Sequence, residues 1–483
     1  AAASGAQVPS IVNIIDTDDT PPTYFKLNKF TAAFQGIVDG YGIPRYGEIN
    51  PAAFTIITYP FLFGVMFGDV GHGAIVLLFS LYFILNEKKF YALAERGQIG
   101  DVIGYPWSGR YVLLLMGLFS VYCGLIYNDF FGLMGDLFGT AYETAAVGDM
   151  RSRKASDAVY VFGLDPAWWR TTNELSFSNS YKMKMSIILG VLQMNMGLFC
   201  SLLNALHFRN AIDVWCEYVP QAIFMLSIFG YLVFAIFLKW SIDWVAIGEP
   251  APSLITLLID FFMKPGDIKP GQKLYDGQSA IQTYLLLLAF ISLPWMLFAK
   301  PYFLRRQYLK VSGYKTLKRE DTDGSARRLM DDAASDVSDR NGKYHEEEFE
   351  FGEVMMHQLI HTIEYALGCI SNTASYLRLW ALSLAHKQLS SVFYHMILKG
   401  GLNMCTEKGG ASIGCVFGVF VGFAIWAGCT IGILCCMELL SAFLHALRLH
   451  WVEFQNKFFK GDGRKFSPFS FEAEAKRAQG SDE

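Results

Sequence analysis

Long apolar segments recur along this chain and constrain its fold more than any other feature. A segment that crosses a bilayer must bond its backbone polar groups internally, so it forms a helix, and about 20 residues are needed for one crossing. Hydrophobic residues make up 53% of the chain and charged residues only 17%. The apolar segments are residues 53–86, 111–130, 184–206, 217–239, 280–299, 354–398 and 415–447. They predict an all-α polytopic membrane protein.

The first apolar segment is interrupted by a glycine-rich stretch, residues 68–73, which favours a turn between two helices. Each half holds about 16 residues, which is short for a crossing, so one continuous helix is the alternative. Counting two helices here gives about eight transmembrane helices. Residues 254–263 are too short to span and are expected to be re-entrant or interfacial.

A basic stretch predicts the orientation. Residues 300–319 carry seven Lys/Arg and no acid directly after a crossing, which places them in the cytoplasm. Eight crossings then put both chain ends in the cytoplasm, and residues 131–183 and 399–414 in the lumen or exterior. The predicted regions are a juxtamembrane lead-in (1–52), six transmembrane helices (53–299), a charged cytoplasmic loop (300–352), a helix pair (353–458) and a cytoplasmic tail (459–483).

The net charge and the local composition of several segments limit the ligands and structures expected for them. The formal net charge of -4 indicates neither nucleic-acid binding nor a strongly acidic partner. Residues 320–350 mix charges with few apolar residues and are expected to form a mobile, solvated linker. The opening residues resemble a processed end rather than a signal peptide. Most cysteines lie in apolar segments, so no metal or cofactor site is expected, while Cys405 and Cys415 flank a luminal loop and either form a disulfide or stay reduced.

The apolar segment over residues 354–398 carries Arg378 near its centre. A guanidinium stays charged, and placing it in mid-membrane costs roughly 2.5–3.5 kcal/mol, so a partner must offset that cost. The segment of about 45 residues would extend about 68 Å as one helix, which requires a strong tilt. At 100° per residue, Glu364, Ser371, Ser375, Arg378, Leu382 and His386 lie within about 40° of one line, which is polar apart from Leu382.

The last apolar segment repeats this pattern, with Glu438, His445 and Arg448 on one side of its helix. Taken singly, each charge could pair with a neighbour and pin the bundle. Two long, strongly tilted helices that each carry an acid, a base and a permanent cation in order exceed what packing requires. The candidate site residues are therefore these three together with Arg378, Glu364 and His386.

Polar residues elsewhere in the apolar segments are assigned structural roles. Asp69 and His72 lie in the predicted turn. Lys182 and Lys184 enter the next crossing at its luminal end, where lysines anchor helices at the interface. The chain contains no P-loop, zinc-protease helix motif or nucleophile elbow, so it is not expected to hydrolyse ATP.

Several motifs resemble a known family. TPPTYFKLNKFTAAFQ, FGDVGHG, GLDPAWW, NSYKMKMSIILG, SYLRLWALSLAH and HALRLHWVEF are similar to stretches of subunit a of the eukaryotic vacuolar-type proton-pumping ATPase. The resemblance covers the whole chain and implies the membrane half of such a subunit. It implies a stator with two offset half-channels for protons, with ATP hydrolysed on other subunits. The implied partners are a rotating proteolipid ring, other membrane-sector and peripheral-stalk subunits and lipid, in a vacuole or another acidic compartment.

The resemblance also implies roles for single residues. Arg378 matches the essential arginine that faces the ring carboxylates, and Arg448 matches a second arginine. Glu364, His386 and Glu438 match polar residues of the half-channels. The predicted topology places Glu364 toward the cytoplasm and His386 toward the lumen. For Glu438, counting along the helix indicates the cytoplasmic end, whereas the resemblance indicates the luminal exit.

Two other functions compete with this interpretation. A proton-coupled secondary transporter would also carry intramembrane charges, but it predicts inverted repeats and broken helices, and both charged segments look continuous. A non-catalytic membrane scaffold would only anchor a cytoplasmic complex. Proton flux that depends on Arg378 would separate the stator from both.

Overall fold

The computed structural model is almost entirely helical. It describes residues 19–143, 159–169, 171–320, 350–407 and 413–471, together with residues 13, 153, 154 and 475. Within this part of the chain the only paired strands are Tyr142–Glu143 (β1) and Arg153–Lys154 (β2), each of two residues. The all-α prediction is therefore confirmed. The predicted mobile linker lies outside the described residues, apart from its two ends.

The helices of the described chain vary in length from one turn to more than ten. Those before residue 242 are α1 Lys29–Asp39, α2 Ala52–Met66, α3 Val70–Leu85, α4 Glu87–Glu95, α5 Asp101–Ser108, α6 Arg110–Tyr127, α7 Glu174–His207 and α8 Ala211–Ser241. Those that follow are α9 Trp244–Ile247, α10 Leu254–Met263, α11 Gln278–Glu320, α12 Phe351–Ser375, α13 Leu377–Phe393, α14 Lys399–Glu407 and α15 Ile413–Lys457. A short 3-10 helix covers Pro166–Trp168.

Five of the described helices are long and apolar enough to cross a membrane, namely α6, α7, α8, α11 and α15. The bent pair α3 and α4 would raise this number to 6 if it forms one span. The protein is therefore a helical membrane protein with several spans. α10 has only 10 residues, so it is too short to span a membrane, as predicted. Its apolar side packs against α8 and α11.

The first apolar segment forms two helices, α2 and α3, as the hairpin interpretation predicted. Asp69 begins α3 because its carboxylate accepts hydrogen bonds from the backbone N–H groups of Gly71 and His72 at 2.8 and 3.2 Å. Both helices pack against α6. The break between them buries Asp69 and His72 completely, so the turn lies inside the bundle rather than in water.

Glycines let α3 and α6 approach each other backbone to backbone. A Cβ atom on Gly124 would lie 2.4 Å from the backbone nitrogen of Val70, and one on Gly117 would lie 2.8 Å from that of Leu77. These two contacts show that the helices run antiparallel. Small residues are the usual means by which membrane helices pack closely, because apolar side chains gain little by leaving lipid.

We expect Gly124→Ala to destabilise the protein by about 1–3 kcal/mol, because the added methyl overlaps backbone rather than a flexible side chain. The matched control is Gly428→Ala in α15, where a Cβ would meet nothing within 4 Å. Thermal unfolding of the detergent-solubilised protein measures both changes. Equal stability of the two variants would contradict the packing argument.

The lead-in and the tail lie together at one end of the bundle. Thr23 forms an isolated β-bridge with Lys465, and Ile43 forms one with Asp462. Arg45 also forms an ion pair with Asp462. The hydrogen bond from Arg45 lowers the pKa of the Asp462 carboxyl below its usual range. The two end segments therefore belong to one side of the molecule.

α7 begins at Glu174 rather than at residue 184, which changes the environment of Lys182. Its side chain is only 2% exposed, and its Nζ lies 4.5 Å from the ring centroid of Tyr127. The prediction that Lys182 anchors a helix end at the membrane interface is therefore wrong. Lys184 is partly exposed.

The segment that carries Arg378 is not one continuous helix, contrary to the sequence interpretation. It is interrupted at Tyr376, between α12 and α13. The buried ring of Tyr376 lies against Gly190 of α7, and its hydroxyl donates to Gln193 Oε1 at 2.9 Å. Tyr376 keeps right-handed helical dihedral angles, so the interruption is confined to this one residue.

The described chain has five π-helical stretches: Thr430–Glu438 and Leu449–Phe454 in α15, Tyr394–Leu398 after α13, and Val214–Tyr218 and Leu226–Gly230 in α8. Such stretches are often found at functional sites.

Near the start of α15, Cys415 is disulfide-bonded. The side chain of Cys405 lies outside the described part of the structure, so its pairing with Cys415 stays a prediction.

Candidate functional site

α13 and α15 run antiparallel and bring four of the predicted site residues into two pairs. His386 of α13 contacts the Glu438 carboxylate through Nδ1. Arg378, two turns earlier, places its Nη1 3.2 Å from Nδ1 of His445. A guanidinium only donates hydrogen bonds, so the contacting nitrogen of His445 carries a lone pair and its ring is neutral.

Neither site arginine forms an ion pair with an acid among the residues that the structure describes, although the Glu453 carboxylate lies within electrostatic range of both. Neither Arg378 nor Arg448 lies within ion-pair distance of a described carboxylate. Arg378 is partly exposed and Arg448 is exposed. The alternative that all charges pair within the chain therefore fits His386 and Glu438, which are in direct contact, better than the arginines, which face Glu453 only at longer range.

Exposed side chains follow α12, α13 and α15 at helical spacing, and we call this surface the arginine face. Glu364 and Arg448 lie on it, and Arg378 lies at its centre along the α12–α13 segment. Its other exposed members are apolar or small: Ile360, Ile363, Leu367, Ser371, Ala374, Ala381, Ala385, Met437, Leu440, Leu444 and Val452. An apolar surface with charges at its middle does not suit lipid alone.

Behind this face, four residues form what we call the acid–histidine cluster: Asp69, His72, His386 and Glu438. Nδ1 of His72 lies 3.2 Å from Nε2 of His386 and 3.3 Å from Oδ2 of Asp69. Asp69 and His72 are 0% exposed and His386 is 3% exposed. The Glu438 side chain keeps 23% of its surface exposed, so the cluster reaches the outside of the chain there.

Further ionisable groups continue from the cluster toward Glu174, a second residue that reaches the outside of the chain. Asp129 is 2% exposed and lies within electrostatic range of Lys182 and Lys387. Nζ of Lys387 lies 3.0 Å from Oε1 of Glu174, whose side chain is 23% exposed. Groups that can hold a proton therefore run from Glu438 to Glu174.

A second group of buried polar residues combines Glu453 and Gln455, near the end of α15, with Gln193 of α7, and we call it the glutamate–glutamine cluster. Glu453 is 1% exposed and faces Ser375, and Gln455 is 0% exposed. Oε2 of Glu453, Nε2 of Gln193 and both amide atoms of Gln455 have no hydrogen-bond partner among the described residues. Glu453 lies about 22 Å along the helix from Glu438, with His445 between them.

The sequence interpretation missed much of this arrangement. It assigned Asp69 and His72 to structural roles, although the structure places His72 in contact with the predicted His386. The FGDVGHG motif was the available signal, since a turn in the middle of an apolar segment rarely needs both an acid and a histidine. Glu453 carried no signal beyond lying near Arg448.

Comparisons with known proteins agree with the motifs. A model of the V-type ATPase 116kDa subunit family matches residues 1–471. The chain is 47% identical to V-type proton ATPase 116 kDa subunit a 1 of Mus musculus, over 97% of this chain and 57% of that protein. It is 48% identical to the Dictyostelium discoideum vacuolar proton translocating ATPase 100 kDa subunit, over 97% of this chain and 55% of the relative.

A plant relative gives the same result. The chain is 46% identical to V-type proton ATPase subunit a3 of Arabidopsis thaliana, over 98% of this chain and 55% of that protein. The chain thus spans little more than half the length of the relatives it matches. The family match over most of the residues and the identities near one half show that this chain belongs to the V-type ATPase 116 kDa subunit family.

Proposed function

We propose that this chain is the membrane stator of a rotary pump that moves protons from cytoplasm to lumen while other subunits hydrolyse ATP. The proposal rests on Arg378, which is partly exposed at the centre of the arginine face and forms no ion pair with an acid among the described residues. A permanent cation on a membrane helix that has no ion-pair partner in the described chain favours an anion from outside the chain. Carboxylates on a rotating proteolipid ring are the anions that fit.

The two buried clusters serve as offset half-channels. Buried polar atoms without protein partners are stable when water reaches them, so the glutamate–glutamine cluster supports a hydrated path. With Glu364, it forms the cytoplasmic entry. The acid–histidine cluster forms the luminal exit, and Glu438 belongs to this exit because it contacts His386.

The Arg378 guanidinium separates the two half-channels. Along α15 the clusters lie on opposite sides of the Arg378–His445 contact. Arginine does not release its proton in a protein, so it keeps a passing ring carboxylate ionised and blocks a direct proton leak. Protons therefore cross only by riding on the ring from one half-channel to the other.

The topology that suits this role has eight crossings, in which α2 and α3 each cross once and the α12–α13 segment and α15 cross at a strong tilt. Both chain ends then lie in the cytoplasm with residues 300–352, and residues 131–183 face the lumen. Contact between the lead-in and the tail supports an even number of crossings. The compartment would be a vacuole or another acidic organelle, and further membrane-sector and peripheral-stalk subunits would complete the complex.

A cross-linking experiment tests the ring contact. Leu367→Cys lies on the arginine face, where Leu367 is 64% exposed. After labelling with a photoreactive maleimide in the assembled complex, we expect this variant to cross-link to the proteolipid ring. Leu118→Cys in α6 is the control, because Leu118 is also exposed, at 52%, but on another helix.

The two outcomes separate the competing functions. Cross-linking of Leu367→Cys alone to the ring supports the stator. Cross-linking of both variants to lipid only would overturn it, and would favour a secondary transporter or a scaffold that has no ring against this face.

A further inference from the structure

Three buried side chains of the acid–histidine cluster present their donor atoms to one point. The donors are Oδ2 of Asp69, Nδ1 of His72 and Nε2 of His386, and all of them lie within 4.8 Å of one another. Two of the separations are 3.2 and 3.3 Å. Bonds of about 2.0–2.1 Å in a tetrahedral zinc site place neighbouring ligand atoms about 3.3–3.4 Å apart. The two separations from Nδ1 of His72 therefore match the edges of a zinc tetrahedron.

We propose that Asp69, His72 and His386 bind a divalent transition-metal ion of the zinc class, with water as the fourth ligand. Two imidazoles and one carboxylate form a donor set that zinc accepts in protein sites with an open position. The three residues come from the start of α3 and the middle of α13. His386 lies 314 positions from His72 in the sequence, so cysteine and histidine spacing gave no sign of the site.

The hydrogen bonding of Asp69 leaves one oxygen available. Its Oδ1 accepts from the backbone N–H groups of Gly71, His72 and Phe131 at 2.8, 3.2 and 3.2 Å. Its Oδ2 is buried, and its one polar contact among the described residues is Nδ1 of His72 at 3.3 Å. The backbone thus holds the carboxylate in place while its second oxygen points toward the histidines.

The histidines are also arranged as ligands. Nδ1 of His72 faces Oδ2 of Asp69 and Nε2 of His386, so a ligand role for this nitrogen requires the tautomer that carries its proton on Nε2. His386 turns its Nδ1 to the Glu438 carboxylate and its Nε2 to the cluster. A carboxylate on the far nitrogen of a ligand histidine is the usual outer-shell support of a metal site. The carboxylates of Asp69 and Glu438 offset the charge of the ion.

The consequence for transport rests on the proposed function. If the cluster is the luminal exit, a bound ion occupies the nitrogens and the oxygen that pass protons, so Zn²⁺ should inhibit the pump. Binding of the metal does not depend on that role. The two claims therefore need separate measurements.

The binding experiment uses the assembled complex after treatment with a chelator, with Co²⁺ as the spectroscopic probe and Zn²⁺ as its competitor. We expect the wild type to bind one more equivalent of Co²⁺ than His72→Gln or Asp69→Asn, with the visible absorption of four-coordinate Co²⁺ lost in both variants. His395→Gln is the matched control, because His395 is exposed and outside the cluster. Equal binding and equal spectra in the wild type and His72→Gln would overturn the site.

A second variant covers the case in which those substitutions prevent assembly. Glu438→Gln removes only the outer-shell carboxylate, and we expect it to weaken Co²⁺ binding about 10–100-fold. Unchanged affinity in this variant would count against the site. Zn²⁺ is then added to sealed vesicles during proton pumping. Inhibition at the concentration that fills the site supports both claims, whereas binding without inhibition supports the metal site and contradicts the exit path.

Discussion

Replacing Arg378 with alanine or lysine is expected to abolish proton transport without preventing assembly. Both changes remove a permanent cation from the arginine face, and lysine can lose its proton in so dry a site. Placing an arginine in mid-membrane costs roughly 2.5–3.5 kcal/mol, and we take the interaction between the arginine and the ring carboxylate to be of the same size. Losing an interaction of that size lowers the transport rate about 100-fold. Acidification of vesicles reconstituted with the assembled complex measures this loss.

The control for this prediction is Arg464→Lys, which makes the same chemical change at an exposed position in the tail. It should leave transport at the wild-type level. Recovery of the intact complex on a sizing column shows that assembly is normal in every variant. An Arg378→Ala complex that still acidifies vesicles at a substantial rate would refute the seal.

Replacing Glu438 with glutamine is expected to slow proton transport by about 10–100-fold while leaving the seal intact. The amide keeps the shape of the side chain but cannot take up a proton from His386, its contact in α13. The rate of vesicle acidification should fall, while passive proton leak through the de-energised complex stays at the wild-type level. A raised leak would indicate that Glu438 acts with the arginine instead.

Glu353→Gln is the matched control for this variant. Glu353 is exposed in the first turn of α12, away from both buried clusters, so the same substitution there should not change the pumping rate. An unchanged rate in Glu438→Gln would remove Glu438 from the exit path. It would also weaken the assignment of His386, which reaches the outside of the chain through that carboxylate.

Helical periodicity was enough to predict the line of polar residues that contains Arg378. The spacing of residues on a helix depends only on its geometry, so the relative directions of Glu364 and Arg378 follow from their positions in the chain. The structure keeps Glu364 exposed and Arg378 partly exposed. His386 is buried instead, because it packs between His72 at the start of α3 and Glu438 of α15.

The contacts between distant segments could not be predicted in the same way. His72 and His386 meet through the packing of α3 against the helix pair, and no periodicity relates residues so far apart in the chain. Lys182 looked like an interfacial anchor because an apolar segment began just after it. In the structure α7 begins at Glu174, so Lys182 lies inside the helix and is buried near Asp129.

The sequence by itself determined that this chain forms apolar helices, that two late segments carry ordered charges, and which family motifs it contains. These properties follow from composition and from spacing along one helix. Only the tertiary structure decided that Glu438 lies with His386, that Asp69 and His72 join them, and that the arginines form no ion pair with a described acid. Such contacts depend on which helix faces meet, and helix packing brings together residues that local spacing cannot relate.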